Sequence, residues 1–341
     1  MMKGEKLVDT REIKRTLLDI NGIILIITIV VLIILFSYSS PHFFTLLNFK
    51  VLFESMSILA ILAMGVHFLL VGGEIDISFA SVLSLSAAVA AVASPGNTFY
   101  LILVSLLAAL AVGIVNGFFT TRVGIPSFLV TLATLVGVQG IVYIVTDYRA
   151  VLLRNDLIPR IFFGRFDFVG DTATAVFWMV GLIIISGIIL RYTRFGRWIY
   201  STGGNTRAAM LMGIPTKRVK FTLFIISSLM AGIAGLIMVS RALSARPLIG
   251  DGYLMPAIAA PILGGALLTG GRGSIIRTGL GCLLLTIITN GVNLLGFEPA
   301  YRDIIMGAIL VGALSIRTLQ QRGGSLSFKK RQPSQPSQRR E

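Results

Sequence analysis

Two carboxylates, Glu74 and Asp76, interrupt the stretch LLVGGEIDISFASVLSLSAA at residues 69–88, whose flanks are otherwise apolar. Acids in such a setting can hold a cation or relay a proton, accept the hydroxyl groups of a polar solute, or fix a helix end. Asp76 lies two residues before Ser78, within reach of an N-cap contact, so capping and a direct part in solute passage both stand for it. Glu74 has no comparable partner nearby in sequence, which favours a functional or gating role over that of a solvated loop charge. Asn116, Asn290 and Asn293 place amides inside apolar runs, and the spacing of the last two sets them on one helical face. These groups can line a path together with Asp76 and Ser78, or hydrogen-bond between packed helices.

Other chemistries find little support. The two histidines, His42 and His67, lie in no HExxH spacing and beside no serine nucleophile. The single cysteine, Cys282, falls in an apolar run and reads as a packing residue, so no intrachain disulfide or Cys-rich metal site is expected. No GxxxxGK[ST] phosphate loop occurs, so the chain has no evident means of gripping ATP phosphates; no cofactor is expected in it, and ATP is expected to be handled by a partner.

The elements that must position these residues follow from composition. Of 341 residues, 55% are hydrophobic and 13% charged, a balance outside that of soluble domains. The expected fold class is all-α, a polytopic integral membrane protein with about ten transmembrane helices. The spans fall near 22–37, 51–71, 78–94, 99–119, 127–146, 172–190, 221–243, 253–270, 274–296 and 302–316. Three regions follow: a basic cytoplasmic N-terminus at 1–21, a transmembrane domain at 22–316, and a basic disordered tail at 317–341. The first apolar run reads as a retained span and not a cleaved signal. The formal charge of +15 sorts by loop, as the positive-inside rule requires, and so speaks for membrane lipid and against nucleic acid. Residues 191–220 hold seven basic residues and no acid, which puts them and both termini in the cytoplasm. The longest external loop, residues 147–171, balances Arg149, Arg154, Arg160 and Arg165 against four Asp.

Within the cytoplasmic segment, GGNTRAAMLMGIPTKRVK at 203–220 contains a capped helix. Asn205 is its N-cap, residues 206–212 its body, and Gly213 with Pro215 its stop. Ala208, Ala209, Leu211 and Met212 offer a small apolar surface flanked by Arg207 and Lys217; the competing reading is a basic linker on anionic lipid. Short matches between residues 72–87 and 250–265, and between IVNGFF at 114 and ITNGVN at 288, are five spans apart. An odd number reverses direction through the membrane, so they point to an inverted repeat with Asp76, Asn116, Asn290 and Asn293 near one pathway.

Taken together, GGEIDISFASVLSLSAAVAA, GIVNGFFTTRVGIPSFLVTLAT, GGNTRAAMLMGI, GYLMPAIAAPILGGALLTGGRGSIIRTGLG and NGVNLLG resemble the membrane permease subunit of ribose-type ATP-binding-cassette sugar importers. The resemblance covers most of the chain. It implies an inner-membrane bacterial protein, a dimer with a second permease copy or paralogue, a cytoplasmic ATPase that binds the coupling helix, and an external solute-binding protein delivering a monosaccharide. It assigns Ala208, Ala209 and Gly213 to the coupling segment; given such a binding protein, complementary charge makes Arg149, Arg154, Arg160 and Arg165 the expected docking residues. The chain departs from the family's GGIDLS by the added Glu74, and has Ala80 where relatives carry glycine, so an altered solute is open. The resulting expectation is an importer permease without covalent chemistry of its own. Its rivals are an ion- or proton-coupled secondary transporter using Glu74 and Asp76, and an intramembrane enzyme, for which no nucleophile and base pair speaks.

Overall fold

A computed structural model describes residues 20–166 and 171–298 and, beyond them, residues 300, 301, 303–305, 307, 308, 311 and 312. Its helices are α1 (Ile20–Ser39), α2 (Leu46–Val71), α3 (Phe79–Val92), α4 (Thr98–Phe118), α5 (Ser127–Thr146), α6 (Leu157–Phe163), α7 (Thr174–Tyr192), α8 (Arg194–Gly204), α9 (Thr206–Leu211), α10 (Thr216–Ala242), α11 (Leu254–Leu263) and α12 (Ile275–Leu294). Among the described residues seven helices are long and apolar enough to cross a membrane: α1, α2, α4, α5, α7, α10 and α12. The apolar α3 is shorter, with 14 residues. The N-terminal region, the tail and most of the span expected at 302–316 lie outside the described residues.

The span expected at 253–270 does not form. The only α-helix there is α11, with 10 residues, about 15 Å of rise and half a bilayer, entered through a 3-10 turn at Asp251–Tyr253. Apolar composition alone overlooks Pro261 and the glycines at 264, 265, 270 and 271, each a poor helix residue. The non-helical stretch is tolerated because protein satisfies its backbone. Ala266 N–H donates to Pro261 O at 2.8 Å and Gly271 N–H to Val71 O at 2.8 Å.

The breaks have local causes. At the end of α2, Gly73 takes φ +78°, Gly73 N–H donates to Leu70 O and Glu74 N–H to Leu69 O. This is the Schellman pattern, which needs a residue free to adopt positive φ and so stops the helix at the glycine pair. Thr45 caps the other end by accepting from Asn48 N–H. A further helix, α8, follows α7 in the basic segment before the capped helix; Thr193 accepts from Gly196 N–H at its start.

Packing has the reciprocity of two halves. Two long helices, α2 and α10, lie against each other, and each is followed by a break, a short helix (α3 or α11) and a full-length one (α4 or α12). The helix α10 packs on α3 and α4, while α2 packs on α11 and α12. The short sequence matches therefore have a structural counterpart. Small residues allow close approach: Ser86 Oγ donates to Gly232 O at 2.8 Å, and a Cβ on Gly65 would stand 3.1 Å from Ser227 Cα. Outside the spans, β1 (Val151–Leu152) pairs antiparallel with β4 (Ser244–Ala245), and β2 (Arg165–Phe166) with β3 (Thr172–Ala173). Residues from Phe297 onward form a second unit, in which the Phe297 and Tyr301 rings are 5.5 Å apart.

Candidate functional site

The chain turns back from the glycine pair and brings Asp76 to the level of Ser227 on α10. There the carboxylate is 1% exposed. Its Oδ1 accepts from Ser78 N–H at 2.8 Å and Ser78 Oγ at 2.6 Å, and its Oδ2 from Ser227 Oγ at 2.9 Å. Ser78 Oγ in turn accepts from Asn116 Nδ2 at 2.8 Å, and Ile75 N–H donates to Ser127 Oγ at 3.2 Å. The contacts give Asp76 a structural role: it holds the start of α3 and also ties that start to α4 and α10. Asn116 Oδ1 is buried without a hydrogen-bond partner, which leaves an acceptor at the centre of the cluster. The set of hydroxyl, amide and carboxylate groups suits hydrogen bonding to a polar solute and lacks a nucleophile with its base.

Removing the acceptor tests the arrangement. Asp76→Ala orphans two hydroxyls and a backbone N–H, each costing about 1–3 kcal/mol when buried, so thermal unfolding of the purified permease should shift well below the parent. Asp76→Asn keeps an oxygen for Ser78 and should stay folded. Equal loss in both variants would argue that charge, and not acceptor geometry, holds the cluster.

Glu74 does have a partner, far along the chain. Its Oε1 lies 2.6 Å from Lys220 Nζ, with 11% and 20% of the two side chains exposed. The absence of a local partner is made good at long range: α10 delivers the lysine to the α2–α3 break, a contact invisible to local spacing. Since breaking one side of a desolvated pair strands the other charge, Glu74→Lys should lower the folded yield several-fold. The double exchange with Lys220→Glu should recover it, as read by size-exclusion chromatography.

The asparagines do not gather. Asn290 exchanges two amide hydrogen bonds with Asn48, at 3.0 and 2.9 Å. Asn48 is about 25 Å along α2 from Gly65, which packs beside Ser227. Asn290 is thus an interhelical clasp away from Asp76 and Asn116, and Asn293 is exposed near the end of α12. The buried histidine His67 bonds Thr278 Oγ1 at 2.8 Å, and Cys282 is a buried packing residue.

The capped helix is α9. Asn205 Oδ1 accepts from Ala208 N–H at 3.0 Å. Gly213 takes φ +79°, its N–H donates to Met210 O, and Ile214 N–H donates to Ala209 O. Leu211 is 90% exposed and Met212 68%, with Arg207 and Ala208 also exposed. Ala209 faces inward and is fully buried, so it supports the helix from beneath and is no part of the outer surface. Met210, absent from the expected surface, is half exposed in its place.

Just before α9 three glycine pairs meet. A Cβ on Gly203 would overlap the Val71 carbonyl oxygen and stand 2.7 Å from Gly271 N; one on Gly270 would stand 2.8 Å from Gly73 Cα. The α2 break, the end of α8 and the loop after α11 thus touch through backbone alone. Lys220, just beyond α9, grips the same break through Glu74. The segment carrying α9 is therefore fastened on both sides to the break that leads to Asp76.

Of the four arginines expected to dock a binding protein, Arg165 is held within the chain, 2.7 Å from Asp171 and 3.5 Å from Glu54. Asp171 is the main reason its pKa is raised. Arg149 lies 3.3 Å from Asp147, and Arg154 and Arg160 are exposed. Among the described residues no three His, Cys, Asp or Glu side chains are grouped to hold a metal.

Residues 49–314 match the family described as branched-chain amino acid transport system / permease component. The ribose import permease protein RbsC of Escherichia coli (strain K12) is 34% identical over 303 residues, 87% of this chain and 93% of its own. The same-named protein of Bacillus subtilis (strain 168) is 33% identical over 286 residues, 83% and 88% of the two chains. The L-arabinose transport system permease protein AraH of Escherichia coli (strain K12) is 33% identical over 303 residues, 85% and 88%. No solved structure matches.

Proposed function

The chain belongs to the permease-component family of branched-chain amino acid transport systems, and from that premise we propose that it is the membrane subunit of an ATP-binding-cassette importer for a monosaccharide. Its relatives named for ribose and arabinose support that solute class. One observation carries the mechanism: α9 exposes Met210, Leu211 and Met212 on a capped, glycine-stopped helix that is fastened to the α2 break by Gly203 and Lys220. A cytoplasmic ATPase seated on α9 would move that segment. The movement would reach residues 72–78, and with them the Asp76 cluster, through the backbone contacts of Gly203 and the Lys220–Glu74 pair. The permease itself would hold no nucleotide and perform no covalent chemistry. A second permease copy or paralogue would complete the path, and both termini would face the cytoplasm.

Vesicles containing permease, ATPase and binding protein should take up sugar when ATP is supplied on the ATPase side. An ion gradient alone should drive none. Uptake on the gradient alone would favour a secondary transporter instead. Outside, Arg154 and Arg160 support docking of the solute-binding protein by complementary charge, so association should weaken as salt rises through the physiological range. Salt-independent association, measured by surface plasmon resonance, would count against that part of the reading.

A further inference from the structure

The connection from α10 to α11 folds back into the membrane and leaves a charge there. Gly250 N–H donates to Ser84 Oγ at 3.0 Å, and a Cβ on Gly250 would collide with the Ala80 carbonyl oxygen. The next residue, Asp251, therefore stands beside the first turns of α3, close in level to the Asp76 cluster. Its Oδ1 accepts from Gln139 Nε2 at 3.2 Å. Gln139 is well inside α5, about 18 Å of helix from Ser127, in one of the seven candidate spans. Both observations put Asp251 at hydrocarbon depth, and it is exposed there.

A carboxylate at that depth is costly against lipid and is found facing protein or a water-filled cavity. Among the described residues the buried acids have partners: Asp76 is enclosed by hydroxyls, and Glu74 and Glu54 meet Lys220 and Arg165. Asp251 meets only an amide. The surrounding face is open, since a Cβ on Gly137, Gly140 or Gly252 would have nothing within 4 Å. We propose that Asp251 and Gln139 form a solute-contacting pair on the wall of the permeation path, taking the hydroxyl groups of a polyhydroxylated solute. With one carboxylate oxygen engaged by the amide, Asp251 Oδ2 and Gln139 Oε1 accept hydroxyl protons, and the second amide N–H donates to a hydroxyl oxygen. A hydroxyl-rich ring needs that mixture of acceptors and donors. The pair rests on the importer reading for its solute, but its place in water does not.

Two readouts separate those elements. In lipid nanodiscs, with Cys282 replaced by alanine, Asp251→Cys should react with a membrane-impermeant maleimide within about tenfold of the rate at the exposed loop position Asp147→Cys. Ile184→Cys, on the outer face of α7, should react far more slowly. Labelling of Asp251→Cys as slow as that of Ile184→Cys overturns the proposal. So does a spontaneous disulfide between two permease copies in place of labelling, because that face would then be a subunit contact. In vesicles carrying the whole complex, Asp251→Ala and Gln139→Ala should each cut uptake of D-ribose or L-arabinose at least tenfold with folded permease unchanged, and Asp251→Asn should retain more. Unaltered uptake in both alanine variants overturns the contact with solute. Absence of ATP-driven uptake in the parent complex would instead count against the importer reading, and labelling would still decide where Asp251 faces.

Discussion

Gly203→Ala should leave little folded permease in the membrane, while Gly204→Ala, one residue along, should accumulate as the parent does. The difference lies in what each methyl meets. At Gly203 it would overlap the Val71 carbonyl oxygen and press on Gly271 N, whereas at Gly204 the nearest atom is Gly271 Cα at 4.0 Å. Overpacking usually costs about 1–3 kcal/mol because side chains can shift. Here the obstacles are backbone atoms, and Val71 O already accepts from Gly271 N–H at 2.8 Å. Relief requires separating the end of α8 from the end of α2 and from the loop after α11. That would also open an apolar core shared by Met64, Phe68, Leu69, Ile199, Leu223, Phe224 and Ile275. Fluorescence-detected size-exclusion chromatography of both variants gives the comparison. If Gly203→Ala were folded and transport-competent, the three-way glycine contact would not be what fastens α9 to the α2 break.

Charges at Leu211 and Met212 should have the opposite profile, with normal folded protein and ATP-driven uptake reduced more than tenfold. Both side chains are largely exposed, so replacing them with glutamate should change stability by no more than about 0.5 kcal/mol. A partner that buries two apolar side chains would then have to desolvate two carboxylates, and a few such residues carry most of an interface's energy. Pull-down of the ATPase checks the assignment, and undiminished recovery would sink it. Ala209→Glu makes the contrast: that position is fully buried, so an unpaired charge there should cost the fold itself. Gly213→Pro should also lose coupling. Proline cannot take the φ of +79°, and it removes the N–H that closes α9 onto Met210 O.

Features that depend on neighbouring residues were legible in the chain. Among the described residues seven long apolar helices follow from runs of lipid-soluble residues, because partition into a bilayer depends on length and composition. The break at Gly72 and Gly73, the Asn205 cap and the Gly213 stop were legible for the same reason: each is a hydrogen-bond pattern closed within six residues or fewer. Asp76 with Ser78 belongs to this class as well. At 253–270 composition and structure part, since glycine and proline are compatible with an apolar run while a helix does not tolerate so many of them.

The tertiary structure decided whatever depends on a partner distant in sequence. Glu74 has no partner near it in sequence, and α10 brings Lys220 to it; Asn290 joins Asn48 and not Asn116. Which face of α9 is outward was also decided this way: the sequence presents Ala208, Ala209, Leu211 and Met212 as equivalent apolar residues, and only packing against the rest of the chain buries Ala209. Gly203, Gly270 and Asp251 carry no local signal at all, because a glycine's need for space and a carboxylate's depth in the bilayer are set by what the fold places beside them. Local propensities and hydropathy add up along the chain and can be read from it; close approach of backbones and pairing of charges arise only when separate segments meet.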